Sequence, residues 1–168
     1  MRLFFALWPD EPAAAKLAVL SQELAALTAG RPVAAAKIHL TLAFLGDLEE
    51  SELDPARRAV EGSSHAPFEV ALDQVGSFKG ARVAWAGCRE PSRGLVDLQS
   101  DLDARLRRAG FALDERPYTP HVTLARKATR AIGRKDAEPI RWQATEFALV
   151  QSQLGKGSYS TLARWKLG

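Results

Sequence analysis

Leucines recur at three- and four-residue intervals in two stretches of the chain. Leu17, Leu20, Leu24 and Leu27 lie in an Ala-rich segment, and the spacing predicts a helix to about Thr28. Asp10-Glu11-Pro12 supplies an acidic cap and a first-turn proline, and Gly30 ends the helix. Leu95, Leu98, Leu102 and Leu106 form the second stripe, in a helix opened by Pro91-Ser92 and closed by Gly110. A shorter, more polar helix is expected over Glu49–Glu61, with Leu53, Arg57 and Val60 along one side. Elsewhere the pattern alternates or runs apolar over strand lengths: Arg2–Trp8, Lys37–Leu45, Phe68–Phe78, Ala81–Gly87, Thr119–Arg126, Ile140–Gln151 and Ser158–Lys166. Lys79-Gly80 and Leu154-Gly155-Lys156-Gly157 read as turns, and Ala128–Pro139 as a polar loop.

The elements repeat. Helix, strand and hairpin occur at about 11–87 and again at 92–166. Phe68-Glu69-Val70-Ala71-Leu72 echoes Glu146-Phe147-Ala148-Leu149-Val150, and Ala81–Trp85 echoes Leu162–Trp165. The expectation is a single α+β domain over 1–168. It would comprise two pseudo-symmetric lobes of antiparallel sheet plus helices, from an internal duplication, with a central cleft.

Composition narrows this little. At 168 residues, with 46% hydrophobic and 26% charged positions, the chain can bury an independent core. No apolar run approaches the roughly 20 residues that span a bilayer. The N-terminal apolar run meets Pro9 and Asp10 too soon for a signal peptide. Cys88 is the sole cysteine, which excludes a disulfide framework and reads as a small core or strand-end residue. A cytoplasmic protein without membrane attachment is expected, and nothing demands more than a monomer. Net charge of +3 permits an anionic ligand.

The chemistry lies in a tetrad that the chain states twice: His39-Leu40-Thr41-Leu42 and His121-Val122-Thr123-Leu124. Strand alternation would put His39, Thr41 and Ala43 on one face, and likewise His121, Thr123 and Ala125. Two imidazoles across a pocket suit general acid–base catalysis near neutral pH. In-line displacement at phosphorus needs one such group on each side, and the Thr hydroxyls can donate to the non-bridging oxygens. Arg126 and Lys37 flank the tetrads as possible added positive charge. Two histidines are too few for a typical zinc site, and no Asp or Glu stands at ligand spacing from them. His65, in a turn-rich stretch, reads as a solvent-exposed bystander, and the arginines of the second Leu-striped helix as a solvated face.

These residues resemble the two-histidine phosphoesterase superfamily, whose mark is two His-x-Thr/Ser-x tetrads in a duplicated α+β fold. The chain looks most like its bacterial and archaeal RNA 2',3'-cyclic phosphodiesterases, historically called 2'-5' RNA ligases. The resemblance rests on Arg2-Leu3-Phe4-Phe5-Ala6-Leu7, on Gly30–Val33 through His39–Gly46, on Pro120–Arg126 and on Tyr159–Trp165. It implies opening of the cyclic phosphate at an RNA 3' end to a 2'-phosphomonoester, with no required metal or cofactor. Carried over, His39 is the proton donor to the departing 3' oxygen and His121 the proton acceptor from water. Thr41 and Thr123, with Arg126, would hold the phosphate. Phe44 and Tyr159 are candidates for base stacking, with a core role as the alternative. Arg126, Arg130, Arg134 and Lys135 would guide RNA to the cleft. The same two histidines would serve 2'-5' ligation or small cyclic nucleotides. A non-catalytic RNA-end binding module is the reading of a different class.

Overall fold

The structure, a computed structural model, describes residues 1–153, 155 and 157–168. Leu154 and Lys156, two of the four residues of the expected second turn, lie outside the described residues. Nine antiparallel strands and three α-helices follow in the order β1 (Arg2–Leu7), α1 (Glu11–Thr28), β2 (Arg31–Pro32), β3 (Leu40–Asp47), α2 (Leu53–Val60), β4 (Phe68–Phe78), β5 (Val83–Gly87), α3 (Arg93–Arg108), β6 (His121–Arg126), β7 (Lys135–Ala144), β8 (Glu146–Gln153) and β9 (Ser158–Lys166). This is the expected α+β class.

The sheet runs β7-β4-β5-β6-β3-β1-β8-β9, with β2 on the side of β6. It divides into two groups of four, β7-β4-β5-β6 and β3-β1-β8-β9. The groups meet only at β3 and β6, through the single pair Leu40–Val122. Those residues follow His39 and His121 at equivalent places in the tetrads, so a pseudo-two-fold axis passes between them. No further pair joins the two strands among the described residues.

The two halves of the chain interleave across this axis. The hairpin β4–β5 follows the first His strand but pairs with the second, through β5. The C-terminal hairpin β8–β9 pairs with β1, beside the first His strand. The helices cross as well: α1 packs against β6, and α3 against β3 and β4. β5 therefore sits beside a His strand whereas β9 is an edge, so the sequence echo between them does not mark equivalent places. Strand–helix–strand units β1-α1-β3 and β5-α3-β6 do occupy equivalent places.

The helices cover one sheet face and bury the main core, including Leu3, Phe5, Leu7, Leu40, Leu42, Leu98 and Leu124. Their caps follow the sequence: the Asp10 carboxylate accepts from the Ala13 N–H and the Ser92 hydroxyl from the Leu95 N–H. At the C-terminus of α1 the left-handed residue is Ala29 (φ 51°), not Gly30. Gly30 has a different reason to be glycine, because a Cβ there would come within 2.7 Å of the Arg126 carbonyl oxygen.

Two expectations are corrected. Ala128–Pro139 is not wholly loop and Ile140–Gln151 is not one strand: β7 starts at Lys135, and the chain turns at Thr145 before β8. The alternation was hidden because β7 is an edge strand, exposed along its first half. Pro139 falls where the pairing to β4 is irregular, between Ile140 opposite Leu72 and Asp136 opposite Gln74. His65 is not a solvent-exposed bystander. Its Nε2 lies 2.8 Å from Asp101 Oδ2 on α3, and Arg105 donates to the same carboxylate at 2.9 Å. Arg107 likewise bonds Asp103 and Glu115, so these two α3 arginines are paired rather than merely solvated.

Candidate active site

Each histidine precedes a β-bulge. β1 pairs Ala6 with Thr41 and Phe5 with Ala43, so Leu42 is the extra residue of β3. β5 pairs Trp85 with Thr123 and Ala84 with Ala125, so Leu124 is the extra residue of β6. A bulge shifts the alternation by one residue. Leu42 and Ala43 both enter the main core, as do Leu124 and Ala125. The side chain that returns to the histidine face is then Phe44 in β3 and Arg126 in β6. This corrects the expectation that Ala43 and Ala125 share the histidine faces. It also sorts the candidates: Phe44, 49% exposed, is not a core residue.

Neighbouring segments hold both bulges in place. The Thr41 carbonyl accepts from the Tyr118 hydroxyl at 2.7 Å, and the Leu42 carbonyl from Gln99 Nε2 at 3.4 Å. On the other side, the buried Ser21 hydroxyl of α1 accepts from the Val33 N–H at 2.8 Å and donates to the Leu124 carbonyl at 2.6 Å. The Tyr118 bond ties the connector before β6 to β3. Replacing Tyr118 by Phe strands a bulge carbonyl. We expect a loss of about 1 kcal/mol in unfolding free energy, read by urea denaturation. Unchanged stability would show that the bond contributes nothing.

The imidazoles are set alike. His39 Nδ1 lies 2.8 Å from the Lys37 carbonyl, and His121 Nδ1 lies 2.7 Å from the Thr119 carbonyl. A carbonyl only accepts, so Nδ1 carries the proton in both rings and Nε2 is the nitrogen left to act. Extending the Leu40–Val122 register by one residue on each side sets His39 across from Thr123 and His121 across from Thr41. Both Thr side chains are half-buried, and the charge of His121 reaches His39.

Aromatic rings brace each imidazole. Phe4 stacks on His39 at 4.8 Å between centroids, Tyr159 meets it edge-on at 5.1 Å, and Trp8 lies at 5.4 Å. Phe78 meets His121 edge-on at 5.2 Å and lies 5.3 Å from Trp85. The Trp85 indole lies over Gly76, where a Cβ would come within 2.5 Å of the ring. Burial pushes both imidazoles below the ordinary 6.5. For His39 the Lys37 hydrogen bond opposes this, and the charges of Arg126 and His121 add to it. For His121 the Thr119 hydrogen bond opposes it. Arg126 thus acts on His39 from the opposite strand.

Among the described residues no three His, Cys, Asp or Glu side chains come together as a metal-ligand set. No helix there is long and apolar enough to cross a membrane. A family profile described as the 2'-5' RNA ligase superfamily matches residues 8–156. The chain belongs to that superfamily. A protein of Escherichia coli K12 named RNA 2',3'-cyclic phosphodiesterase is 38% identical over 173 aligned residues, covering 99% of this chain and 96% of its own. A Thermus thermophilus protein of the same name is 31% identical, covering 99% and 90%. The crystal structure of E. coli LigT complexed with 3'-AMP matches with a TM-score of 0.84 at 35% identity, covering 99% of this chain and 97% of that one.

Of the candidate residues, Tyr159 meets His39 and the charges of Arg126 and His121 reach it, while Phe44 is exposed and Thr41 and Thr123 are half-buried. Lys37 is exposed, with its Nζ 3.2 Å from where a Cβ on Gly157 would stand. Lys135 opens the edge strand β7, four strands from His39. Sequence reasoning missed Phe4, Trp8, Phe78, Trp85 and Tyr118. The alternation of β1 held the only signal for Phe4, because Phe4 and Phe5 are adjacent and only one can face the core.

Proposed function

We propose that this chain, read as one two-lobed unit over 1–168, hydrolyses RNA 2',3'-cyclic phosphate ends to 2'-phosphomonoesters. The observation that carries the reading is the pair of Nδ1-anchored imidazoles on neighbouring strands, each with no hydrogen-bond partner at Nε2 among the described residues. His121 takes a proton from the attacking water. His39 gives one to the departing 3' oxygen. The order of donor and acceptor is taken from the family resemblance, since the site itself is close to symmetric. Thr41 and Thr123 donate to the non-bridging oxygens, and Arg126 adds positive charge where negative charge builds up. Phe44 and Tyr159 offer rings to the terminal base. The reaction needs no further group: water enters, one P–O bond forms and one breaks, and the proton balance closes between the two rings. RNA is the partner, and a cytoplasmic monomer suffices for this chemistry.

The test is a short RNA with a 2',3'-cyclic phosphate end, incubated in EDTA, with the product ends identified. A 2'-phosphate is expected. A 3'-phosphate would mean that the other oxygen leaves. Activity only with added divalent metal would displace the metal-free reading, and no product under either condition would favour an RNA-end binding module.

The depressed imidazoles set the pH dependence. The base must be neutral, so kcat/KM rises with pH through its pKa. The acid must be protonated, so kcat/KM falls as pH passes its pKa. Both values lie below 6.5 in the free enzyme, so kcat/KM should peak on the acid side of 6.5. A bound phosphate stabilises the imidazolium, so the basic limb of kcat should lie at higher pH than that of kcat/KM. A kcat/KM that stays flat to pH 8 would contradict this.

A further inference from the structure

A basic cavity lies beside the His121 side of the site, with Phe78 in common. It encloses about 350 Å³ between the β4–β5 turn and the segment after β6, lined by Ser77, Phe78, Lys79, Arg82, Thr129 and Arg130 among others. Three of these are cations and none is an acid. Among the described residues none of the three cations forms an ion pair with a carboxylate, although Arg89, Arg107 and Arg116 elsewhere do. Their charge is thus not neutralised by the protein. Phe78 is shared with the reacting site, since its ring both lines this cavity and meets the edge of His121.

The walls are built before any ligand arrives. The Ser77 hydroxyl accepts from the Ile132 N–H at 2.9 Å and lies 3.0 Å from the Ile132 carbonyl. The Ala128 N–H donates to the Arg82 carbonyl at 2.9 Å, and the Thr129 and Arg130 N–H groups both reach the Thr28 carbonyl. Two of the three non-glycine residues with left-handed backbone sit here, Arg82 (φ 56°) and Lys127 (φ 53°), on the two segments that the Ala128–Arg82 bond joins. Such conformations are unfavourable for residues with a Cβ and cluster at binding sites.

Preformed, positively charged and acid-free, the cavity suits a phosphate group. A mononucleotide 2',3'-cyclic phosphate spends its one phosphate at the histidines, so a second phosphate must come from elsewhere. We propose that this cavity binds an internucleotide phosphate of the RNA strand whose cyclic end reacts at His39 and His121. The inference rests on the function proposed above and adds to it a preference for polynucleotide over mononucleotide. Lys79 and Arg130 are exposed and, among the described residues, outside any ion pair, so their reversal leaves the fold intact.

The test compares the natural chain with a Lys79→Glu/Arg130→Glu double variant on two substrates, a trinucleotide with a 2',3'-cyclic end and a 2',3'-cyclic mononucleotide. The variant should lose at least about tenfold in kcat/KM on the trinucleotide, mainly in KM, and stay within about twofold on the mononucleotide. The slope of log kcat/KM against log salt on the trinucleotide should become shallower by about 0.7 for each phosphate that is no longer neutralised. Equal losses on both substrates, or no loss on either, would overturn the proposal. Fluorescence anisotropy with a labelled trinucleotide bearing a 3'-phosphate reads the cavity without turnover. A tenfold weaker affinity in the variant supports the inference even if the natural chain hydrolyses neither substrate, in which case the proposed function alone fails. Unchanged trinucleotide affinity, with loss of ATP binding instead, would assign the cavity to a free nucleotide and overturn the inference.

Discussion

Replacing either His39 or His121 by Ala lowers turnover of cyclic-ended RNA by at least about 10²-fold, the lower range for one positioned acid or base. Each ring has its Nδ1 committed to a backbone carbonyl, so only Nε2 can exchange a proton with substrate, and alanine leaves nothing in its place. Because both rings act in one displacement, the double variant should lose little beyond the worse single variant. The losses should fall in kcat, with KM little changed, since the threonines and Arg126 still hold the phosphate. His39 also packs against Phe4, Trp8 and Tyr159. A thermal melt of each variant therefore separates lost chemistry from lost packing. Near-normal turnover by both single variants, with intact melts, would remove the histidines from the mechanism.

Ser21→Ala should destabilise the fold although it removes a single atom away from the histidines. Ser21 is fully buried. Its hydroxyl is both acceptor for the Val33 N–H and donor to the Leu124 carbonyl. Removing it takes away two hydrogen bonds and leaves the Val33 N–H its longer bond of 3.2 Å to the Leu124 carbonyl, at a cost of roughly 1–2 kcal/mol. For a chain of this length that corresponds to a fall in Tm of about 2–4 °C per kcal/mol. The same bond holds the bulge that turns Arg126 toward the site, so kcat/KM should also fall, by less than in the histidine variants. A melting temperature equal to that of the natural chain would show that the bulge is held by other means.

Ser21 also shows where the sequence stopped being legible. The leucine spacing located α1 but suggested the stripe Leu17, Leu20, Leu24 and Leu27. The buried stripe is Ala13, Leu17, Ser21, Leu24, Ala25 and Thr28, and Leu27 is 52% exposed. Ser21 stands where a leucine would because the backbone of Val33 and Leu124 takes a hydrogen-bond partner there, whereas the Thr28 hydroxyl donates to the Leu24 carbonyl of its own helix, and hydrophobic periodicity carries no record of either bond. The tetrads behaved differently. His-x-Thr twice in one chain of three histidines pointed to two strands, and the sheet sets those two strands side by side. What followed each tetrad was not legible, because a bulge is a property of pairing with a neighbour and leaves the strand's own alternation looking intact. Ala43 and Ala125 were therefore expected where Phe44 and Arg126 stand. The strand order was hidden for a similar reason. Each half of the chain contributes a hairpin to the group of strands that holds the other's His strand, and no local pattern says which strand a hairpin joins. β7 was missed in part because an edge strand need not alternate.

The central claim is that the two imidazoles act from opposite sides of one phosphorus atom. The most direct test is hydrolysis of a single diastereomer of an RNA 2',3'-cyclic phosphorothioate in ¹⁸O-labelled water, followed by assignment of the configuration of the product. In-line attack by one water with departure of the opposite oxygen predicts inversion at phosphorus. Retention would require two successive displacements through a covalent enzyme intermediate, and would contradict the account.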